Sequence, residues 1–287
     1  MTKVHVVFVG HGTRREQGID EFNRFIVLAK RRIARELASR HSDGRHPGDI
    51  HLSFCHGFLE MAQPDLPSVL ESCLADDGCV LLVPLFLLEA RHMKVDIPGI
   101  VSSVLLSAMA GSPLPSGTAS DLQAEELRKR VLLVPAVGRN SHFLRVLVED
   151  IHRAHVDPHQ DGVLLLGRGN RDADAQDAFQ WICGEIATEM GLEHIIAGYL
   201  TGTGRSWTEA LAQFEREGLK RVFIQPYLWF HGHLTEELPR RIDAWTMSRK
   251  YTSRSMTIDI GQPLGIHPLL VEAVSNQVLE HLASWKI

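Results

Sequence analysis

Three residues stand where a divalent metal could be held. His11 follows a short apolar run, Val4–Val9, and is flanked by Gly10 and Gly12. Glu60 ends a segment that reads as a strand, Ile50–Leu59, and His92 comes after an apolar run, Val80–Leu88. Each is ordinary on its own. His11 could sit by accident in a glycine-rich turn, Glu60 could be a solvated charge at a strand end, and His92 could bond the backbone at a helix start. Together, two imidazoles and one carboxylate make a borderline N/O donor set that suits Fe²⁺, Co²⁺, Ni²⁺ or Zn²⁺. The set lacks the cysteine-rich closure of a structural zinc site, so open coordination positions are expected. The competing phosphate-loop reading is weak. Gly10–Arg14, G-H-G-T-R, is not the dinucleotide fingerprint, and the chain contains no G-x-x-x-x-G-K-[ST]. No nucleotide cofactor is expected.

These residues can meet only if the runs before them are neighbouring strands. Near-continuous Val/Leu runs read as strands buried on both faces, which implies a parallel sheet with helices on each side. The pattern predicts helices over Ile19–Ala38, Pro67–Ala75 and Asp96–Met109. The first has apolar positions at Phe22, Phe25, Ile26, Ala29 and Ile33, which is helical spacing. The third carries Pro98 in its first turn, where proline is tolerated. Gly111–Ser120, rich in Gly, Pro and Ser, reads as a loop. In open parallel sheets, ligands bind beyond the carboxyl ends of the strands, and all three candidates fall there.

The chain also repeats itself. Val6–Phe25 (VVFVGHGTRREQGIDEFNRF) resembles Val163–Ile182 (VLLLGRGNRDADAQDAFQWI). Leu81–Pro98 resembles Val222–Pro239 once one residue is skipped, placing His92 on His233 and Pro98 on Pro239. Val131–Asp150 resembles Ile258–Val278. Three blocks in the same order, with a period well over 100 residues, indicate duplicated domains rather than a solenoid. The fold class expected is α/β, with two similar Rossmann-like domains: residues 1–156, a linker Asp157–Gly162, and residues 163–287. In the second half the three candidate positions read Arg168, Thr201 and His233, so two of three potential ligands are missing. A purely structural role would persist in both copies; the loss points to one functional site in the first half. His231 and His233 remain open as secondary metal contacts.

Basic residues crowd the same strand ends: Arg14, Arg15, Arg91, Lys94, Arg168, Arg171 and Arg205. Ordinary solvated surface is one reading. The other is a basic rim for a polycarboxylate ligand, since guanidinium pairs bidentately with carboxylate. The formal net charge of the 287 residues is −5, and no long Lys/Arg run occurs, which speaks against a nucleic-acid partner. No stretch approaches the ~20 apolar residues of a spanning helix, and the N-terminal apolar run is too short for a secretion signal. A cytoplasmic protein with no membrane partner is expected, as a monomer or small homo-oligomer. None of the four cysteines, Cys55, Cys73, Cys79 and Cys183, forms a C-x-x-C pair, and all read as small buried thiols.

At these residues the sequence resembles the sirohydrochlorin chelatases, the ATP-independent class II enzymes that insert cobalt or iron in cobalamin and siroheme synthesis. The resemblance rests on VFVGHGTR, GFLEMAQPDLPSVLE and VPLFLLEARHMKVDIP in the first half, and on LLLGRGNRD and IQPYLWFHGHL in the second. It covers nearly the whole chain and matches the long, two-domain form. It implies two chelatase-like domains, with His11 and His92 as the active-site histidines and Glu60 as the acidic partner. Co²⁺ or Fe²⁺ would be a substrate and sirohydrochlorin, a tetrapyrrole, the small-molecule partner. Arg14, Arg91, Lys94, Arg168 and Arg205 are the candidates for holding its carboxylates. The sequence departs from its relatives at Arg91, where glycine often precedes the second histidine. The alternatives are a non-catalytic metal or tetrapyrrole carrier, and a chelatase for Ni²⁺ or another tetrapyrrole.

Overall fold

The computed structural model describes residues 2–42, 50–76, 78–110, 127–248 and 256–285; the loop expected over Gly111–Ser120 lies outside them. The first sheet holds β1 (Thr2–Gly10), β2 (Ile50–Phe58), β3 (Cys79–Pro84) and β4 (Val131–Leu133), in the order β2-β1-β3-β4. The second holds β5 (Gly162–Gly167), β6 (Ile195–Tyr199), β7 (Arg221–Tyr227) and β8 (Thr257–Ile260), in the order β6-β5-β7-β8. Every pairing is parallel. The two sheets have the same order and direction, as internal duplication requires. Val4, Val6, Val7, Phe8 and Val9 on β1 are fully buried, as are all six residues of β3 and of β5. A strand flanked by partners on both edges and covered on both faces has no solvent side, hence the unbroken apolar runs.

Helices α1 (Glu16–Ser42), α2 (Leu66–Leu74), α3 (Ile97–Ala110) and α4 (Ser141–Arg153) follow the strands of the first sheet; α5 (Ala173–Met190), α6 (Trp207–Glu217), α7 (His233–Ser248) and α8 (Pro268–Ser284) follow those of the second. Local chemistry sets their ends. Asp65, Asn140, Asp172 and Ser206 cap the N-termini of α2, α4, α5 and α6 by accepting backbone N–H bonds. Gly191 and Gly218, both left-handed, close α5 and α6. Among the described residues, no helix is long and apolar enough to cross a membrane.

One expectation is corrected. The third strand stops at Pro84 rather than running to Leu88, and a single π-helical turn, His92–Asp96, precedes α3. Pro84 has no N–H to give the ladder, and beyond it only Leu85 N–H still reaches Val9 O, at 2.8 Å. By their contacts the residues group into two compact units. One compact unit comprises Met1–Arg14, Phe22–Val137 and Val271–Ile287; the other comprises Arg15–Glu21 and Gly138–Leu270. The helix that follows the last strand of each sheet is therefore counted with the other sheet. In the first unit, Arg32 of α1 pairs with Glu272 of α8 at 3.0 Å, and Gln277 donates to Pro135 O at 3.1 Å. In the second, α4 packs on α5 and β7, burying Phe143, Val146, Leu147 and Ile151. Sequence succession shows that an amphipathic helix follows a strand, but not which sheet its apolar face covers. The connecting segment Asp157–Gly162 is fixed by hydrogen bonds. Asp161 accepts from Asp157 N–H at 3.0 Å and from Arg221 at 2.8 Å, and Gly162 already opens β5.

One half-buried titratable group bears on acid stability. His56 on β2 lies edge-on to Phe22 and Phe58, with ring centroids 5.8 Å and 5.5 Å away. Burial, aided by the Lys30 ammonium, holds its imidazole below the ordinary value of 6.5. The folded form therefore keeps His56 neutral while the unfolded form still protonates near 6.5. Its contribution is intact above that pH and is lost as pH falls below it. His56→Gln should flatten the decline of the urea midpoint between neutral and mildly acidic pH. Equal declines in the variant and the parent would remove His56 as the cause.

Candidate active site

Strand order locates the crevice. The connection leaving β1 runs to β2 on one side, while β3 and β4 lie on the other, so the switch point falls between the carboxyl ends of β1 and β3. His11 leaves β1 directly. Beyond the strand, Leu59 N–H donates to Gly10 O at 3.0 Å and Glu60 N–H to His11 O at 2.9 Å, carrying the pairing two residues further. Gly12 makes the close approach possible. Its φ is +93°, and a Cβ there would lie 1.8 Å from the Glu60 carbonyl oxygen. Only glycine takes that conformation without strain and leaves that space.

His92 is brought in by the π-turn. Buried Met93 anchors the turn, and His92 and Asp96 lie side by side, with Nδ1 2.8 Å from Asp96 Oδ2. Isolated π-turns concentrate at functional positions because the extra residue per turn re-aims a side chain. Arg91 Nε reaches the other oxygen of Asp96 at 3.4 Å, so the residue that departs from the family pattern contributes to the same carboxylate. The structure brings His92 and His11 together: their ring centroids are 4.8 Å apart and their planes 79° from parallel. Phe86 lies 5.7 Å from His92 and lines the other side of its ring.

The tautomers follow from the acceptors. His11 Nδ1 is 3.1 Å from Gly12 O, and His92 Nδ1 faces a carboxylate. A carbonyl or carboxylate oxygen only accepts, so both Nδ1 atoms donate, and in the neutral ring Nε2 then carries the lone pair. That is the form in which imidazole ligates a metal or takes up a proton, and a carboxylate behind a ligating histidine raises its basicity. Asp96→Ala should weaken Co²⁺ binding by about 10–100-fold, with partial recovery in Asp96→Asn, which can still accept from Nδ1. Titration of the apoprotein with Co²⁺ checks this, with circular dichroism as the folding control. Unchanged affinity in Asp96→Ala would reduce Asp96 to a helix-end charge.

Glu60 does not close the set. Its backbone is bonded to His11, but the residue is exposed, and among the described residues no three His, Cys, Asp or Glu side chains form a group that could hold a metal. The assembled feature is thus a pair of imidazoles with Asp96 behind one of them. Sequence reading missed Asp96, although the i,i+4 spacing in HMKVD was a signal for it. Of the basic candidates, Arg14, Arg91, Lys94, Arg168 and Arg205 are all exposed. Arg205 donates to Gln213 at 2.9 Å, so it is engaged by the helix that follows it.

The second unit repeats the scaffold without the pair. Gly169 has φ +95°, and a Cβ there would lie 1.8 Å from Thr201 O. Leu200 N–H donates to Gly167 O and Thr201 N–H to Arg168 O, both at 3.0 Å. His233 opens α7 as His92 opens the π-turn, and it is exposed. His231 is held instead by Glu21, which takes its ring Nδ1 at 2.6 Å and its backbone N–H at 2.8 Å. The backbone register of His11, Glu60 and their counterparts is therefore preserved while their chemistry is not.

A family model described as CbiX matches this chain twice, over residues 5–154 and 162–281. The chain belongs to the CbiX family. Two matches, one per sheet, fit the duplicated architecture. A CbiX relative from Priestia megaterium, described as sirohydrochlorin ferrochelatase, is 26% identical over 282 residues, spanning 97% of this chain and 91% of the relative. A shorter one from Methanococcoides burtonii, described as sirohydrochlorin cobaltochelatase, is 30% identical over 124 residues, spanning 42% of this chain and 95% of the relative. The solved structure of SirB from Bacillus subtilis with Fe³⁺ shares the fold with a TM-score of 0.72 and 22% identity, covering 99% of this chain and 96% of that one.

Proposed function

We propose that this CbiX protein inserts Co²⁺ or Fe²⁺ into sirohydrochlorin without a nucleotide cofactor. The observation that carries the reading is the His11–His92 pair at the switch point, with each Nδ1 facing an oxygen acceptor. Relatives over most of the chain are described as sirohydrochlorin ferrochelatase and as sirohydrochlorin cobaltochelatase, which names the substrate class and leaves both metals open.

Metal and macrocycle are both substrates. The metal is held by His11 and His92, with Glu60 as a further ligand or base reaching in from its exposed position. As the metal enters the ring, two pyrrole N–H protons leave. A neutral imidazole is a competent acceptor near neutral pH, and the Asp96 carboxylate stabilises the imidazolium formed at His92. Arg14, Arg91, Lys94, Arg168 and Arg205 supply exposed cations for the substrate's carboxylates. An open two-imidazole set suits a metal held briefly and passed on. A carrier that retains its metal is better served by a closed donor set, so the carrier reading is the weaker one.

The test is an anaerobic absorbance assay with sirohydrochlorin and Co²⁺ or Fe²⁺ in turn, against the uncatalysed rate. Multiple turnovers establish a chelatase and rank the metals. A stoichiometric spectral change without turnover identifies a carrier instead.

A further inference from the structure

The catalytic reading makes no use of two thiols on the face of the first sheet that α2 covers. Cys55 is on β2 and Cys73 on α2, and their sulfurs lie 3.5 Å apart with no bond between them. Cys73 is 5% exposed, whereas Cys55 is only partly buried on a strand that forms the edge of its sheet. Lys30 of α1 reaches the same stretch, with Nζ 3.4 Å from Phe54 O. The geometry points to an oxidisable dithiol: Cys55 attacks a low-molecular-weight disulfide and Cys73 resolves the product to a Cys55–Cys73 disulfide.

The sequence of bonds is simple. The Cys55 thiolate, its proton lost to solvent, attacks one sulfur of the small disulfide and expels the other half as a thiolate. Cys73 then gives up its proton and attacks Cys55 Sγ, expelling the second small thiol. The protein pair is oxidised by two electrons, and the small disulfide is reduced to two thiols. The order of attack follows from the surroundings. A hydrogen bond from Cys73 and the nearby Lys30 charge hold the Cys55 thiol below the ordinary range, against the opposing effect of burial. The bond to Cys55 and burial push Cys73 up, so Cys73 is the poorer first nucleophile. Capping Cys55 removes its share of that effect. The sulfurs need to close by about 1.5 Å to reach the ~2.05 Å of a disulfide. The other two thiols are poor competitors: burial pushes Cys183 up to about 12 and raises Cys79 as well.

Closure would tie β2 to α2 and enclose the segment that carries Glu60. The full chain, incubated with oxidised glutathione at neutral pH, should lose the mass of two hydrogens with its fold intact by circular dichroism. Peptide mapping after alkylation should show Cys55 joined to Cys73, and the melting temperature should rise by several degrees and fall back on reduction. Cys73→Ala should stop at a glutathione adduct on Cys55, and Cys55→Ala should give neither product. A native chain that keeps all four thiols, links a different pair, or carries its adduct elsewhere overturns the proposal. These readouts need no tetrapyrrole or metal, so they do not depend on the proposed catalysis.

Discussion

Replacing His11 with alanine is expected to abolish metal insertion while leaving the fold in place. His11 sits beyond β1 and is partly exposed, so its removal opens no core cavity. Its loss takes away one of the two Nε2 donors and leaves His92 without the ring now 4.8 Å away. Removal of a positioned base alone costs about 10²–10⁴-fold in rate; loss of a metal contact adds to that. His92→Ala should be similarly severe, because each ring serves the same metal and the two losses are not independent. The anaerobic assay reads the rate, and circular dichroism with the melting temperature reads the fold. A His11→Ala protein turning over near the parent rate would falsify the assignment of the site, whatever the family.

The second large effect concerns backbone rather than side-chain chemistry. Gly12→Ala forces an L side chain into φ +93° and sets its Cβ 1.8 Å from Glu60 O. The left-handed conformation alone costs about 1–2 kcal/mol. The clash is with backbone, so the chain must move, and the Glu60 N–H to His11 O bond is the first contact to break. A total loss of about 4 kcal/mol or more is expected, in the range reserved for special-backbone positions. Gly169→Ala meets the same 1.8 Å contact with Thr201 O at φ +95°. The pair is therefore a matched control. Both variants should be destabilised by comparable amounts in chemical denaturation. At temperatures where both remain folded, only Gly12→Ala should lose metal insertion. Equal losses of activity would mean that the rate follows global stability and that the His11–Glu60 register has no special role.

Much of this arrangement was legible in the residues. Strand ends could be read because unbroken Val/Leu runs are what a doubly covered parallel strand needs. The repeat could be read because both halves keep the same glycine beyond the first strand, and the structure gives that glycine one job in both places: admitting the neighbouring carbonyl. His11 and His92 could be read because they fall where the topology leaves room for a ligand. Asp96 was harder to see. It was expected at the start of a helix, and only a π-turn, which no periodicity announces, places its carboxylate against His92 Nδ1. Glu60 illustrates the opposite limit. Its place at a strand end was predictable, but its backbone is held while its side chain stays exposed. The Cys55–Cys73 contact was invisible for a third reason: it joins a strand to the helix after it across 18 positions, and no local spacing rule connects them.

The exchange of helices between the two units has a consequence for synthesis. The first unit needs residues 271–287, which are made only after the whole of residues 138–270, while the second unit includes residues 15–21, which are made before most of the first. Neither half can reach its final packing on its own schedule. The first sheet must wait for its full packing until residues 271–287 have been made. Contacts between segments this far apart close slowly and leave incomplete states open to aggregation. The nascent chain should therefore remain protease-sensitive until residues 271–287 have emerged, and a ribosome stalled before residue 271 should hold no protected first unit.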